Sequence, residues 1–216
     1  MRTFVINLDK AKERWSFYRD QDGIERWSAT SFEEIKVSDP TIPKMISYHN
    51  LSMREHLCKL GAFKSHYNLW RYIAMSKLDN VLILEDDAEK VNELPDESIL
   101  PTDGITYFGG YTSHIHVTKG PKKCDSFVNG VNKLPTDYRM LMLMAYYIPT
   151  WQVAQKLVLN VERHDRWRAI DCMIYDFTGF TTNVYYPGCY RERPVKSQIR
   201  KNKKKFSNEF YEVVKG

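Results

Sequence analysis

The most constraining feature of the sequence is a short apolar run that ends in three consecutive acids. Val81 to Leu84 has the length of a strand and no polar face, and Glu85, Asp86 and Asp87 follow it directly. Such a run is typical of a strand that is buried on both faces at the centre of a parallel sheet. Ligands of parallel α/β proteins collect beyond the carboxyl ends of the strands. The three acids therefore stand where a ligand site is expected.

The segments around this run alternate between strand and helix patterns. Arg2 to Leu8 and Ile24 to Thr30 are strand-like, and Asp9 offers an N-cap to a helix between them. A helical apolar stripe follows Gly61, and Thr150 precedes a second one. The other patterns are strands at Ile105 to Phe108, Ala145 to Ile148 and Thr182 to Tyr186, a helix from about Arg168 to Phe177, and a loop with one hairpin between Tyr111 and Tyr138. This alternation predicts an α/β fold.

The size and composition favour one folded domain. The chain has 216 residues, of which 43% are hydrophobic, and a chain of this length buries roughly 70% of its unfolded surface. No apolar run approaches the roughly 20 residues that span a bilayer, and the N-terminus lacks a secretory signal pattern. The four cysteines include no Cys-x-x-Cys pair, which is typical of idle thiols in a reducing compartment. We therefore expect a cytoplasmic protein without a membrane anchor.

Most of the positive charge lies near the C-terminus. The chain carries +5, whereas Arg191 to Lys205 alone carries a local +7 and leaves about −2 for the rest. We expect residues 1–190 to form the domain and 191–216 to form a basic segment, which could lead into a further domain of a longer protein. A basic segment can contact phosphate-rich partners or a membrane surface, but a solvated segment is the simpler interpretation. No nucleic-acid partner is inferred from it.

Adjacent carboxylates repel one another unless a cation offsets their charge. Mg²⁺ and Mn²⁺ prefer oxygen ligands and often take one or two carboxylates together with substrate phosphates. The alternative is a solvated acidic loop. A response-regulator receiver also has a strand that ends in acids, but there it is the first strand, whereas here some 80 residues precede it. The next strand pattern ends in Gly109 and Gly110, which offer no phosphoacceptor.

Several motifs recur along the chain in a fixed order. The first half contains Val5 to Asp9, Glu13 to Trp15, Gly61 to His66 with Trp70 and Arg71, and Val81 to Ala88. The second half contains Ala145 to Ile148, Ala154 with Leu157, Ile170 with Asp171, Val184 to Pro187 and Ser197 to Ile199. Together they resemble glycosyltransferase family 25, which includes lipopolysaccharide and procollagen sugar transferases. They are also similar to short sugar transferases of large algal viruses that act on capsid glycans.

The resemblance implies a single-domain nucleotide-sugar transferase fold of the GT-A type, with a Rossmann-like, mostly parallel central sheet flanked by helices. It implies transfer of a hexose or deoxyhexose from a UDP-sugar to a hydroxyl of a glycan or glycoprotein acceptor, with inversion. The implied cofactor is Mn²⁺ or Mg²⁺, which would stabilise the charge of the leaving diphosphate. The alternative is a non-catalytic module that keeps the nucleotide-sugar fold, or a basic nucleic-acid-associated module.

The resemblance also implies roles for the acids after the strand. Asp87 would hold the metal with Asp86 as a second metal residue, and Asp86 or Glu85 would contact the ribose or a metal-bound water. The ends of the first two strands, at Leu8 and at Ala29 and Thr30, are expected to line the nucleoside pocket.

Three further polar residues are candidates for donor binding. Arg14 would lie about a turn and a half into the first helix, where it is equally an exposed partner of a neighbouring acid. Lys64 and Ser65 are placed in the first turn of the helix after Gly61. Free backbone N–H groups and a cation there would suit a phosphate.

Asp171 is the candidate general base, because it is a lone acid in an apolar run. Partial desolvation would raise its pKa and improve it as a base. The alternatives are a helix N-cap or a buried salt bridge for Asp171, and Asp165 or Asp176 as the base. His66 lies in an apolar helical stripe and is given no catalytic role. His114 and His116 are assigned to an acceptor-facing loop, with a plain surface loop as the alternative. Four aromatic residues could stack on sugars, although such residues mostly build core: Tyr111, Tyr138, Trp151 and Trp167.

Overall fold

The computed structural model describes residues 1–36, 52–115, 124, 126–164 and 169–194. Within these ranges the α-helices are α1 (Lys12–Trp15), α2 (Met53–Met75), α3 (Trp151–Arg163) and α4 (Ile170–Ile174). The strands are β1 (Arg2–Asn7), β2 (Ile24–Ser28), β3 (Val81–Glu85), β4 (Ala88–Lys90), β5 (Gly104–Tyr107), β6 (Tyr111–His114), β7 (Gly130–Lys133), β8 (Tyr138–Leu141), β9 (Ala145–Ile148), β10 (Thr181–Tyr186) and β11 (Tyr190–Glu192). Short 3₁₀ turns lie at Phe32–Glu34 and Glu97–Ile99.

A seven-stranded mixed sheet forms the centre of the molecule, with the order β2-β1-β3-β9-β5-β10-β7. Five of these strands run in one direction, while β9 and β7 run against their neighbours. This confirms the predicted Rossmann-like, mostly parallel central sheet. The sequence patterns gave no sign that β9 is antiparallel to both of its neighbours.

Strand β3 is buried on both faces, as its apolar run predicts. Val81 and Ile83 belong to the larger core cluster, which contains the large buried apolar residues of α2 and those of α3. Leu82 and Leu84 belong to the cluster on the opposite face. The alternation follows from the two-residue period of a strand, so each successive side chain needs an apolar partner on its own side.

Helix α2 begins at Met53, nine residues before the predicted start at Ala62. The Ser52 side chain accepts a hydrogen bond from the Glu55 backbone N–H, and the Glu55 carboxylate accepts one from the Ser52 N–H, which together form a capping box. The prediction that Lys64 and Ser65 lie in a first turn is therefore wrong. Their backbone N–H groups lie within the helix and are not free for a phosphate.

Helix α1 is shorter than its sequence pattern predicts, and Asp9 is not its N-cap. The N-cap position is Ala11, which makes no side-chain capping bond. The Asp9 carboxylate instead accepts hydrogen bonds from Ser28 Oγ, at 2.8 Å, and from the Arg26 guanidinium. Asp9 therefore joins the ends of β1 and β2 rather than starting a helix.

The remaining predicted elements are present with shifted bounds. The predicted last helix shortens to α4, and the predicted loop between Tyr111 and Tyr138 contains β6 and β7. Strand β6 pairs with β8, and β7 pairs with β10 at the edge of the main sheet. The Thr150 hydroxyl accepts from the Val153 N–H, which confirms the predicted cap of α3.

Gly61 provides a test of how closely α2 packs on the sheet. A Cβ at this position would lie 2.6 Å from the backbone oxygen of Thr30, which cannot move without shifting the end of β2. Alanine favours a helix by roughly 0.5–1 kcal/mol over glycine, but overpacking costs about 1–3 kcal/mol. We expect Gly61→Ala to lower the melting temperature in a thermal unfolding measurement.

Asn68→Ala is the matched control, because Asn68 is exposed on the same helix. It should leave the melting temperature unchanged or raise it slightly. A Gly61→Ala protein as stable as the control would show that α2 does not press on Thr30.

Candidate active site

The carboxyl ends of β1, β2 and β3 meet at one edge of the sheet, since the three strands are parallel. A cleft of about 460 Å³ opens there. Its wall is apolar on the side of β1 and β2, acidic at the end of β3 and basic at α1 and the start of α2. The lining residues are Ile6, Leu8, Lys10, Ala11, Arg14, Ala29, Thr30, Ser31, Phe32, Arg54, Cys58, Ala62, Ser65, His66, Glu85, Asp86 and Asp87.

Asp86 is held by two partners from the β1–α1 segment. Asn7 Nδ2 donates to Asp86 Oδ2 at 2.8 Å, and Arg14 Nη1 donates to Asp86 Oδ1 at 2.5 Å. Burial raises the pKa of Asp86, and the Arg14 charge opposes that rise. Both carboxylate oxygens of Asp86 therefore have hydrogen-bond partners from the protein.

Asp87 has fewer hydrogen-bond partners than Asp86. Its Oδ2 lies 3.4 Å from Arg14 Nη1, whereas its Oδ1 is buried and has no hydrogen-bond partner among the residues that the structure describes. Burial, followed by the nearby Glu85 charge, raises the pKa of Asp87 to about 7. A buried carboxylate oxygen without a donor costs free energy, so a cation or a proton at Oδ1 would stabilise the site.

Glu85 contacts the buried side of α2. Its Oε1 lies 3.3 Å from His66 Nε2, and His66 Nδ1 lies 2.8 Å from the Tyr146 hydroxyl. Trp70 Nε1 donates to the same hydroxyl at 2.8 Å. His66 is thus a hydrogen-bonded core histidine, as its apolar stripe indicates, with one edge on the cleft.

Ser65 joins α2 to the end of β2. Its hydroxyl accepts a hydrogen bond from the Thr30 N–H at 2.9 Å and donates one to the Gly61 carbonyl at 2.7 Å. Both of these bonds are internal to the protein, so Ser65 positions the Thr30 backbone at the cleft wall.

Two cations flank an aromatic ring at the cleft. Lys10 Nζ and the Arg54 guanidinium lie 5.2 Å and 5.1 Å from the centroid of the Phe32 ring. The sequence patterns did not identify Phe32. They missed Arg54, because residue 54 falls before the predicted start of α2. They also missed Asn7, although a lone amide at the end of an apolar strand was a usable signal.

Most of the predicted donor-binding and metal residues line this one cleft. They are Leu8, Arg14, Ala29, Thr30, Ser65, Asp86 and Asp87. Lys64 lies on α2 beside Ser65 but does not line the cleft, so its role in donor binding stays a prediction. Arg14 is nearly buried and forms an ion pair with Asp86 inside the site. It is therefore not the exposed helix residue of the alternative prediction.

Asp171 lies at a second cleft, of about 320 Å³, whose wall includes Tyr138, Arg139 and Tyr175. It occupies the first turn of α4 but is not the N-cap, which is Ala169. Asp171 Oδ2 accepts from the Met142 N–H at 3.1 Å and Oδ1 accepts from the Cys172 N–H at 2.9 Å. The Asp171 carboxylate therefore holds the backbone at Met142 and Cys172 in place and also faces the second cleft.

The other candidate residues are distributed away from the main cleft. His114 Nε2 lies 3.2 Å from Asp137 Oδ2, and its ring packs edge-on against Tyr138. Trp151 is half-buried at the start of α3, where Lys77 lies over its ring. The remaining candidates are outside the described residues: His116, Asp165, Trp167 and Ser197 to Ile199.

The start of the basic segment lies beside the acids. The Arg193 N–H donates to the Asp87 carbonyl at 2.6 Å, and β11 pairs with β4 directly after the acidic motif. Arg191 Nε donates to Glu89 Oε2 at 2.7 Å. These first basic residues are thus anchored on the domain, and the segment from residue 195 onward is outside the described residues.

The carboxylates at the end of β3 fit a metal that is held jointly by the protein and its substrate. Among the described residues, no three His, Cys, Asp or Glu side chains converge to form a full cage. Mg²⁺ and Mn²⁺ are commonly held by one or two carboxylates with substrate phosphates and waters. The buried, unpartnered Oδ1 of Asp87 matches that kind of site, whereas Asp86 is already engaged by Asn7 and Arg14.

A cleft at the carboxyl ends of parallel strands is the place where ligands bind in open α/β sheets. Residues 1–98, which supply these strand ends, match the model of glycosyltransferase family 25, described as LPS biosynthesis protein. The match confirms the family resemblance over this range, which contains every residue that lines the main cleft, and it indicates a glycosyltransferase. No curated protein matches the chain. Among the described residues, no helix combines the length and apolar character that crossing a bilayer requires.

The raised pKa of Asp87 predicts a pH-dependent stability. A carboxyl whose pKa is higher in the folded state binds its proton more tightly there, so its contribution is complete below the ordinary value near 4 and is lost as the pH rises through about 7. We expect the metal-free protein to unfold at lower urea concentration at pH 8 than at pH 5, and Asp87→Asn to reduce that difference.

Urea unfolding in the presence of a chelator measures this effect. Glu93→Gln is the control, because the Glu93 side chain is 91% exposed, and it should keep the wild-type pH dependence. An Asp87→Asn protein with the full wild-type pH dependence would mean that another group titrates.

Proposed function

We propose that the protein is a metal-dependent glycosyltransferase that moves a hexose or deoxyhexose from a UDP-sugar to a hydroxyl of a glycan or glycoprotein acceptor. The observation that carries this proposal is the buried, unpartnered Oδ1 of Asp87, in a cleft that also contains Lys10, Arg14 and Arg54. One uncommitted acid among cations suits a ligand that brings both a divalent metal and a diphosphate. The family match supports the sugar-transfer chemistry.

Asp87 would hold the metal, with Asp86 beside it as a residue already positioned by Asn7 and Arg14. A bound divalent cation supplies positive charge to the diphosphate oxygens as the glycosidic bond breaks. Arg14 keeps two neighbouring carboxylates from repelling one another, since it contacts both Asp86 and Asp87. The site is thereby organised before the donor binds, which is the arrangement that favours electrostatic catalysis.

The nucleoside would occupy the apolar wall formed by Leu8, Ala29 and Phe32. These residues follow the ends of β1 and β2, where nucleotides bind in open α/β sheets. The Thr30 backbone is fixed by Ser65, so this wall has a defined position. Lys10 and Arg54 lie at the same wall and offer charge to the phosphates.

The acceptor would approach from the second cleft, where Tyr138 and Tyr175 offer rings for sugar stacking. Asp171 faces that cleft and is proposed as the general base of an inverting transfer. Each of its oxygens accepts one backbone hydrogen bond and keeps a second lone pair for an acceptor hydroxyl. The segment that it holds at Met142 continues to Met144, whose carbonyl accepts from the Glu85 N–H at 2.8 Å. This backbone link connects the two clefts.

Asp87→Ala tests the metal role. We expect at least a 10²-fold loss of Mn²⁺-dependent release of UDP from UDP-sugars, with a melting temperature equal to or above that of the wild type. Removal of a repelled, buried carboxylate relieves strain in the fold while it removes the ligand. Glu93→Ala, on the exposed surface, should keep full activity. Normal Mn²⁺-dependent turnover by Asp87→Ala would refute the assignment, and UDP binding without any turnover in the wild type would favour a non-catalytic module.

Asp171→Asn tests the base and separates it from the structural role. The Met142 and Cys172 N–H groups use different oxygens of Asp171, and in asparagine an NH2 group replaces one of them, so one N–H loses its acceptor. We therefore expect a loss of about 1–3 kcal/mol in unfolding free energy. Transfer to an acceptor should fall by at least 10²-fold, while hydrolysis of the donor by water changes little.

The exposed Asp20, whose side chain is 79% accessible, provides the control Asp20→Asn. It should alter neither stability nor transfer. If Asp171→Asn is destabilised but retains near-normal transfer, then Asp171 is structural and the base is another residue.

A further inference from the structure

Four side chains form a continuous hydrogen-bonded chain from the core to the cleft. Trp70 Nε1 donates to the Tyr146 hydroxyl, that hydroxyl lies 2.8 Å from His66 Nδ1, and His66 Nε2 lies 3.3 Å from Glu85 Oε1. Trp70, Tyr146 and His66 are buried, with at most 1% of their surface exposed. Glu85 is the one member with a substantially exposed side chain, at 32%. The chain thus ends at a carboxylate that faces the cleft.

The direction of the hydrogen bonds follows from the Tyr146 hydroxyl. Burial raises the pKa of Tyr146 well above its ordinary value, so the hydroxyl keeps its proton. The hydroxyl accepts from the Trp70 N–H, and His66 Nδ1 is the acceptor available to it among the residues that the structure describes. A proton on His66 Nδ1 would leave the hydroxyl proton buried without an acceptor, which is costly. His66 Nδ1 is therefore unprotonated.

The opposite edge of the ring leads to the same assignment. An unprotonated Nδ1 puts the ring proton on Nε2, which then donates to Glu85 Oε1. In the other tautomer the Nε2 lone pair would face a carboxylate oxygen at 3.3 Å. Two independent contacts, one on each ring nitrogen, thus select the neutral Nε2–H tautomer.

Glu85 needs such a partner because its neighbours repel it. Its charge is one of the causes that raise the pKa of Asp87, so the two carboxylates are close. Arg14 makes its ion pairs with Asp86 and Asp87. The described contacts of the Glu85 carboxylate are those with His66, and its Oε2 is left for a ligand in the cleft.

We propose that His66 is a positioning residue for the donor site: Trp70 and Tyr146 fix its tautomer, and its Nε2–H holds the Glu85 carboxylate toward the cleft to accept hydrogen bonds from donor hydroxyl groups. This inference rests on the proposed glycosyltransferase function. It assigns His66 no contact with the reacting atoms.

A matched pair of substitutions at His66 tests the contact. The side-chain nitrogen of His66→Gln reaches the place of Nε2 and keeps the donation to Glu85, whereas that of His66→Asn reaches only the place of Nδ1. We expect His66→Asn to raise the KM for the UDP-sugar roughly tenfold, as the loss of a hydrogen bond to a charged group does. His66→Gln should stay within about threefold of the wild type, because the lost bond to Tyr146 does not reach the cleft.

The split between KM and kcat separates positioning from a structural role. A variant that only folds less well has a lower melting temperature and fewer active molecules, so its apparent kcat falls while its KM is unchanged. His56→Gln is the control, since His56 is buried on the same helix and does not line the cleft. Equal KM values for the Asn and Gln variants, or a KM unchanged in both, would overturn the proposal.

The tautomer is measured on the unchanged protein. Long-range ¹⁵N–¹H correlation spectra of histidine-labelled protein at pH 7 distinguish Nε2–H from Nδ1–H, and the His66 signals are assigned from contacts of its ring protons with the Tyr146 and Trp70 rings. We expect the neutral Nε2–H form, and Tyr146→Phe should alter the Nδ1 shift. A proton on Nδ1, alone or with one on Nε2, would overturn the proposal. This result is independent of turnover, so it remains interpretable if no UDP-sugar is a substrate.

Discussion

The geometry of the cleft depends on the buried side of α2, which carries hydrogen-bonding groups as well as apolar ones. Ser65 binds the backbone after β2, His66 binds the end of β3, and Trp70 binds the Tyr146 hydroxyl of β9. Gly61 brings the helix close enough to the end of β2 for the short Ser65 side chain to reach the Thr30 backbone. Because buried polar groups lose free energy without partners, a shift of this helix would break several bonds at once. The helix thus acts as a rigid support for three strand ends.

The electrostatic balance of the site depends on Arg14. Two adjacent carboxylates and one guanidinium are all nearly buried, with side-chain exposures of 11–13%. A buried ion pair does not by itself stabilise a fold, since desolvation offsets most of the attraction. Its effect here is to leave a net negative charge at Asp87 that a ligand cation can match. The fold thus contains an unfavourable concentration of negative charge at Asp86 and Asp87, and a bound cation would relieve it.

The sequence predicted the parts of the fold that local patterns determine. The buried strand β3, the acids after it and the stripe of α2 follow from hydrophobic periodicity, which depends on residues close in the chain. The predicted start of α2 was wrong, because Ser52 and Glu55 form a capping box that lies before the motif beginning at Gly61. The reversed direction of β9 and the partners of Asn7 and His66 depend on contacts between residues that are far apart in the chain. Local patterns can mark such residues as unusual, but they do not identify the distant partners.

The reversed strand β9 has a consequence for how the two parts of the chain communicate. A strand that runs against its neighbours begins where they finish, so the residues that lead into β9 arrive at the edge where β3 ends. Those residues, 142–144, come from the half of the chain beyond the family match, yet they bond to Glu85 and to Asp171. The carboxylate of Asp171 at the second cleft is therefore tied through three backbone residues to the first acid of the acidic motif. The direction of a single strand in this way places the two clefts in one hydrogen-bonded frame.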